Sequence, residues 1–231
     1  MALIKFGGGI AAIRGSIGGV TYARNRYGSY MRQRTKPVDP ASAYQLDVRS
    51  NLSALVERWS TVLTQSQRDA WNNFAQQVSW INALGESIQL TGFNMFCRSN
   101  TAILQADGSI VDDGPTELVL PAADPAFVPT ISAAAQEISV AFDNTLDWAK
   151  EVGGYMTLKM TRPVGPGREY LKGPMRYAGS IAGAAVAPTS PQTVSVPFAV
   201  AEGQKVLVEA RIIRLDGRLS APFCGAVSVG A

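Results

Sequence analysis

The chain has no histidine, so it lacks the side chain that most often serves as general base and as metal ligand. That does not exclude carboxylate chemistry, and two pairs invite a check. Asp112-Asp113 sits beside Gly114-Pro115 in turn-forming sequence, and adjacent residues of an extended chain point apart. Asp143 and Asp147 flank a turn, where a calcium loop would need several more oxygen ligands at fixed spacing. The glycine runs Gly7-Gly8-Gly9 and Gly15-Ser-Ile-Gly18-Gly19 lack the Lys-Ser/Thr ending of a phosphate loop. Neither run follows a buried strand and opens a helix. Ser16, Ser29 and Ser42 have no local partner that would activate a nucleophile. Cys97 and Cys224 lie far apart without a CxxC pattern and read as two buried free thiols. The expectation is no enzyme, no cofactor and no metal.

What remains is a binding motif. Gly15 to Lys36 reads as a basic β-hairpin, with Arg24, Arg26, Arg32 and Arg34 two by two on its arms and a bend near Asn25-Arg26-Tyr27-Gly28. Val20, Tyr22, Tyr27 and Tyr30 alternate with the charges, as in a two-sided ribbon. An isolated two-stranded hairpin is marginal in water, so this one needs a partner surface. Three uses compete. A solvated edge hairpin would carry arginines to prevent aggregation. Nucleic-acid binding would neutralise phosphates and stack bases. Docking on protein would use Tyr and Arg, the residues enriched at interface hot spots. The third is preferred, with Arg24, Arg26, Tyr27, Tyr30, Arg32 and Arg34 as the partner-binding residues.

The charge distribution agrees. Residues 1–40 hold seven basic residues against Asp39, a net +6, while the chain as a whole is +3, so the remainder is −3. The rest of the sequence offers no second basic surface by this reading. A positive arm on a mildly acidic body suits docking onto copies of itself, an acidic shell or nucleic acid. Met1 to Ile13 has glycines where a signal peptide needs an unbroken apolar run, and no stretch approaches the ~20 apolar residues of a membrane span. The chain is read as soluble, not membrane-bound, and made in a reducing cytoplasm.

The elements that would position these residues follow in order. Met1 to Ile13 should lie extended, and Thr35-Lys36-Pro37-Val38-Asp39-Pro40 should form a stiff exit with Asp39 as N-cap and Pro40 at N1. Val48, Leu52, Leu55, Val56, Trp59, Val62 and Leu63 trace one face of a helix. Thr64 and Gln67 match a capping box for a second helix, with Trp71, Phe74, Ala75 and Val78 inward. A third starts at Thr91-Gly92, with Phe93, Phe96, Cys97, Asn100 and Leu104 on one face. Trp59, Trp71 and Phe96 are the expected core of this small three-helix subdomain.

Beyond Pro125 the hydrophobic period becomes two. Strands are predicted at 130–134, 137–142, 154–161, 176–181, 193–197, 205–215 and 225–229. Seven short strands in ~100 residues indicate an immunoglobulin-like or fibronectin-III-like sandwich. The predicted fold class is α+β, mainly β. It comprises a basic hairpin arm (1–38), a helical subdomain (39–108), a linker (109–126) and a sandwich (127–231). The sandwich tyrosines Tyr155, Tyr170 and Tyr177 raise a further option, a carbohydrate platform, against their plainer use as core and strand filler.

The order of pieces resembles a known family. Gly15-Ser-Ile-Gly-Gly-Val-Thr-Tyr, Tyr27-Gly-Ser-Tyr-Met-Arg-Gln-Arg, Pro37-Val-Asp-Pro, Gln45, Arg49, and Trp59…Leu63-Thr64…Gln67-Arg68-Asp69-Ala70-Trp71 are similar to the N-terminal half of structural proteins of tailed bacteriophages and prophages. Leu90-Thr-Gly-Phe-Asn-Met-Phe…Asn100 is similar to their next helix, and Asp216-Gly-Arg-Leu-Ser220 fits the end of a fibronectin-like domain. These are packing and turn patterns, so no active residue carries over. The resemblance implies a virion component assembled in the host bacterial cytoplasm, a homo-oligomer contacting other capsid or tail proteins. Capsid decoration or a minor capsid role ranks ahead of tail or head–tail joining, and nucleic-acid binding through the hairpin is the alternative from another class.

Overall fold

The computed structural model describes residues 2–36, 38–82 and 84–231. The exit read over 35–40 therefore falls partly outside the described residues, at Pro37. In chain order the elements are β1 (Ala2–Leu3), β2 (Gly15–Ile17), β3 (Val20–Asn25), β4 (Gly28–Gln33), α1 (Ala43–Glu57), α2 (Gln65–Gln77), β5 (Ser79–Ile81) and β6 (Ser87–Gln89). There follow α3 (Gly92–Gln105), β7 (Val128–Ser132), β8 (Glu137–Ala141), α4 (Asp147–Lys150), β9 (Tyr155–Met160), β10 (Arg176–Ala182), β11 (Gln192–Ser195), β12 (Lys205–Ile213) and β13 (Phe223–Ser228). Strand exceeds helix, and every sheet is antiparallel. The chain divides into two compact units, Met1–Ser50 with Ser79–Leu90, and Asn51–Val78 with Thr91–Ala231.

In the first unit the expected hairpin is larger: a four-stranded sheet in the order β1-β4-β3-β2. Gly18 and Gly19, at φ 57° and 83°, make the two-residue turn that joins β2 to β3. Both positions need a left-handed backbone, which glycine adopts without strain. The β3–β4 bend falls where the sequence placed it, with Asn25 opposite Gly28 and the Asn25 side chain accepting the Tyr27 N–H at 2.9 Å. Strands β5 and β6 form a further hairpin inside the stretch read as helical. Its turn is built on Asn82, whose Oδ1 accepts the N–H groups of Leu84 and Glu86.

Helix α1 starts later than the Asp39-Pro40 reading. Ala41 has φ 46°, which no helix tolerates, and Asp39 is used otherwise: it accepts the Ala41 N–H and a two-pronged bond from Arg49 at 2.8 and 2.9 Å. The Arg49 guanidinium holds the Asp39 carboxyl below its ordinary range. After Glu57 the helix widens into a π turn, Arg58–Val62, where the Ser60 and Thr61 hydroxyls bond back to the Val56 and Glu57 carbonyls.

In the second unit the capping box at Thr64 and Gln67 is present, and Thr91 caps α3 through the Asn94 N–H. Trp59, Trp71 and Phe96 do meet, with ring centroids 5.5 Å (Trp59–Phe96) and 5.6 Å (Trp71–Phe96) apart. The buried face of α3 is rotated from the predicted one: it presents Met95, Phe96, Ser99, Asn100 and Ile103 rather than Phe93, Cys97 and Leu104. Segment 109–126 has no helix or strand and is held by side chains. Asn100 bonds both backbone groups of Val111, Trp71 Nε1–H donates to the Asp112 carbonyl at 2.9 Å, and Arg58 grips the Asp112 carboxylate.

All seven predicted strands are present, each within two residues of its expected ends. They form one sheet in the order β11-β8-β7 and another in the order β10-β9-β12-β13. Alternate residues of both sheets, Ile138 and Val140 from one and Met156, Leu158, Met160, Val206, Val208 and Ala210 from the other, share one core with Trp148. Ile213 and Tyr155 instead pack with Ile103 of α3. The strand period survives in the sequence because only one face of each strand enters this core.

An ion pair near α4 makes stability depend on pH. Glu151 takes two bonds from Arg214, at 2.5 and 2.8 Å, which lower its carboxyl from the ordinary 4.5. A depressed folded-state value contributes stability above the unfolded value and loses it as pH falls through the folded one. Urea midpoints should therefore fall between neutral pH and the acid side of 4.5, and Glu151→Gln should flatten that slope.

Candidate partner-binding surface

Not one residue in β1, β2, β3 or β4 is buried. Cross-strand pairing sorts their side chains onto two faces, because directly opposed residues project the same way. One face carries Ala2, Ile17, Val20, Tyr22, Arg24 and Met31. The other carries Leu3, Ser16, Thr21, Ala23, Tyr30 and Arg32, and the Ser16–Thr21 hydroxyl contact at 2.7 Å lies on it. The first face is the more apolar, and Ile17 on it is 72% exposed.

The six expected partner-binding residues are therefore not one surface. Arg24 and Arg32 fall on opposite faces, Arg26 and Tyr27 form the bend, Tyr30 accompanies Arg32, and Arg34 follows β4 with its N–H on the Gly19 carbonyl. The reason is register: Arg24 lies opposite Ser29 and Arg32 opposite Thr21, an odd number of steps along the ladder. Among the described residues, Arg24, Arg26, Arg32 and Arg34 form no ion pair. Arg24 and Tyr27 do meet in a concave site of about 340 Å³ with Leu3, Phe6, Leu84 and the Lys5–Glu86 ion pair, whose N···O distance is 2.5 Å. The unit carries eight basic and three acidic residues, a net +5.

The carboxylates considered for catalysis have structural partners. Asp112 holds Arg58, Asp113 accepts from Gln67, Asp143 accepts the Thr145 N–H and hydroxyl, and Asp147 pairs with Arg214. No group of three or more metal-ligating side chains occurs among the described residues, and no helix among them is long and apolar enough to cross a membrane. The cysteines correct the sequence reading. Cys97 is half-buried, its thiol pushed up to about 11 by burial, but Cys224 is exposed. Cys224 lies on the edge strand β13, opposite Glu209, which is itself opposite Lys159 on β9.

The three sandwich tyrosines do not form a platform. Tyr155 packs against Ile103 and Ile213, Tyr177 is half-buried, and Tyr170 alone stands out, 67% exposed. A second basic feature went unread: Arg162 and Arg176 both lie over the Phe198 ring. A charge count over 162–176 would have found it, but the contact with Phe198 is not visible in sequence order.

Compared with known protein families, with curated proteins and with solved structures, the chain gives no match.

Proposed function

We propose that this chain is a non-enzymatic structural component of a bacteriophage virion, a capsid decoration or minor capsid protein anchored to neighbouring subunits by its N-terminal sheet. The observation that carries the reading is a unit of net +5 whose four-stranded sheet buries no residue. Such a sheet gains little from its own packing, and a neighbour's surface supplies the missing burial. At about 25 cal/mol per Å² of apolar area, a few hundred Å² per copy offsets part of the cost of ordering it. Arginines on both faces and at the bend suit insertion between two surfaces better than laying one side on one.

Two further features support it. Val48, Leu52, Val56 and Val62 of the apolar stripe along α1 and its π turn are exposed, while Leu55 and Leu63 are buried, so the stripe offers copies of the chain a contact. The strand orders β11-β8-β7 and β10-β9-β12-β13, with the first, second and fifth of these seven strands in one sheet, support a fibronectin-III-like reading of the second unit.

Deleting residues 1–38 is expected to leave a soluble, folded body that is absent from purified particles; an incorporated truncated chain overturns the proposal. Antibody to the sandwich, viewed on virions by negative stain, separates shell from tail, since label confined to the tail assigns the chain there. If instead the full chain binds DNA with log affinity falling steeply against log salt, and Arg24, Arg26, Arg32 and Arg34 changed to Ala abolish that binding, the sheet is a nucleic-acid module.

A further inference from the structure

Arg24 and Ser29 lie directly opposite each other across β3 and β4, so both side chains project from the same face of the N-terminal sheet. The neighbouring chain segment extends this row, because the Ile4 N–H donates to the Ser29 carbonyl at 3.0 Å. All three residues line the concave site of about 340 Å³, where Leu3, Phe6 and Leu84 add apolar walls. Strand pairing thus sets a guanidinium and a hydroxyl side by side in one cavity. Its volume lies within the range of small-ligand sites, about 300–1,000 Å³.

Among the described residues no ion pair engages Arg24, whereas Lys5 and Glu86, which also line the cavity, are spent on each other. The Lys5 ammonium holds the Glu86 carboxyl below its ordinary range, so the pair stays charged at neutral pH. Arg24 and Lys5 against Glu86 leave the lining at +1. One negative charge completes it. A phosphate dianion or a polyanionic strand would bring excess negative charge against Glu86 and find one free guanidinium to offset it. A carboxylate is the monoanion whose two oxygens match a guanidinium fork, with the Ser29 hydroxyl as a further donor.

The geometry points to a site for a monocarboxylate on an apolar body, its carboxylate on Arg24 and Ser29 and its body against Leu3, Phe6 and Leu84. The apolar C-terminal residue of a neighbouring chain and a free aliphatic acid share this chemistry. The first source rests on the assembly reading and names what the sheet holds of a neighbour. Binding by the purified chain is measured without particles, so either reading can fail alone.

The test titrates the full chain with hexanoate, hexanol, hexyl phosphate and a leucine-terminated tripeptide as free acid and as amide, followed by NMR. Hexanoate should bind, hexanol should not, and hexyl phosphate should bind no tighter than hexanoate. A peptide acid tighter than hexanoate, with its amide inactive, identifies a chain terminus as the source; hexanoate as the tighter ligand identifies a free acid. Arg24→Gln should weaken hexanoate about tenfold or more, and Ser29→Ala severalfold. Arg32→Gln, on the opposite face, should leave it unchanged. Glu86→Gln, which frees Lys5 and removes the competing carboxylate, should tighten it severalfold. Failure of both hexanoate and the peptide acid to bind, undiminished binding by Arg24→Gln, or equal loss in Arg32→Gln overturns the proposal. So does tighter binding of hexyl phosphate or no gain in Glu86→Gln, since either would mean that the site does not select a single charge.

Discussion

Trp71→Ala is expected to lower the stability of the second unit by about 3–5 kcal/mol, read as a fall in the urea midpoint. Trp71 has no exposed surface, and its ring meets Phe74 at 6.1 Å and Phe96 at 5.6 Å, both near edge-on. Truncation leaves a cavity between α2 and α3 that neither helix can close, because Thr64 and Thr91 fix where each begins. It also strips the Asp112 carbonyl of the indole N–H that it accepts. Trp71→Phe separates the two losses: most of the packing stays, the bond goes, and about 1–3 kcal/mol should remain. A Trp71→Ala midpoint equal to wild type would mean that this aromatic cluster does not organise the helices.

The second large effect concerns Gly183. A Cβ there would stand 2.1 Å from the Trp148 carbonyl oxygen and 2.6 Å from that of Glu151, both backbone atoms with no rotamer to move. Gly154 has a similar constraint, its Cβ position 2.3 Å from the same Trp148 oxygen. The chain is pinned as well, since Gly183 N–H donates to the Gly154 carbonyl and Ala184 N–H to that of Ala149. Gly183→Ala must therefore push α4 off the sheet and with it Trp148, which packs on Phe142 at 5.4 Å in the core. Overpacking of this kind costs about 1–3 kcal/mol, and backbone obstacles place it at the upper end. Gly165, with nothing within 4 Å of its Cβ position, is the control: Gly165→Ala should change the midpoint by less than about 0.5 kcal/mol in equivalent stability. Equal effects at the two positions would refute the steric argument.

Local signals carried much of the architecture. The seven strands were legible because each has one buried face and so alternates, and the caps at Thr64 and Thr91 because a helix start needs a side-chain acceptor within three residues. The bend at Asn25–Gly28 was legible for the same local reason. The start of α1 was not, because Asp39 chose between capping and Arg49, ten residues away, and Ala41 turned left-handed. The hairpin β5–β6 was missed because three-residue strands carry too little alternation to register. The face of α3 that is buried was set by what packs on it, with Ile103 drawn to Ile213 and Leu219 from far along the chain.

By itself, then, the sequence determined where the seven strands beyond Pro125 run, where helices begin at a capping threonine, and that residues 15–36 form a basic ribbon. Only the tertiary structure decided the rest. Register placed Arg24 and Arg32 on opposite faces, so a row of arginines became a two-sided ribbon. Folding brought Arg162 and Arg176 from the two ends of one loop onto Phe198, an apolar residue of no note in sequence order. Both outcomes have one physical cause. Composition sets how much charge a segment carries, but the direction of each side chain, and the ring or carboxylate that it meets, depends on a pairing partner distant along the chain.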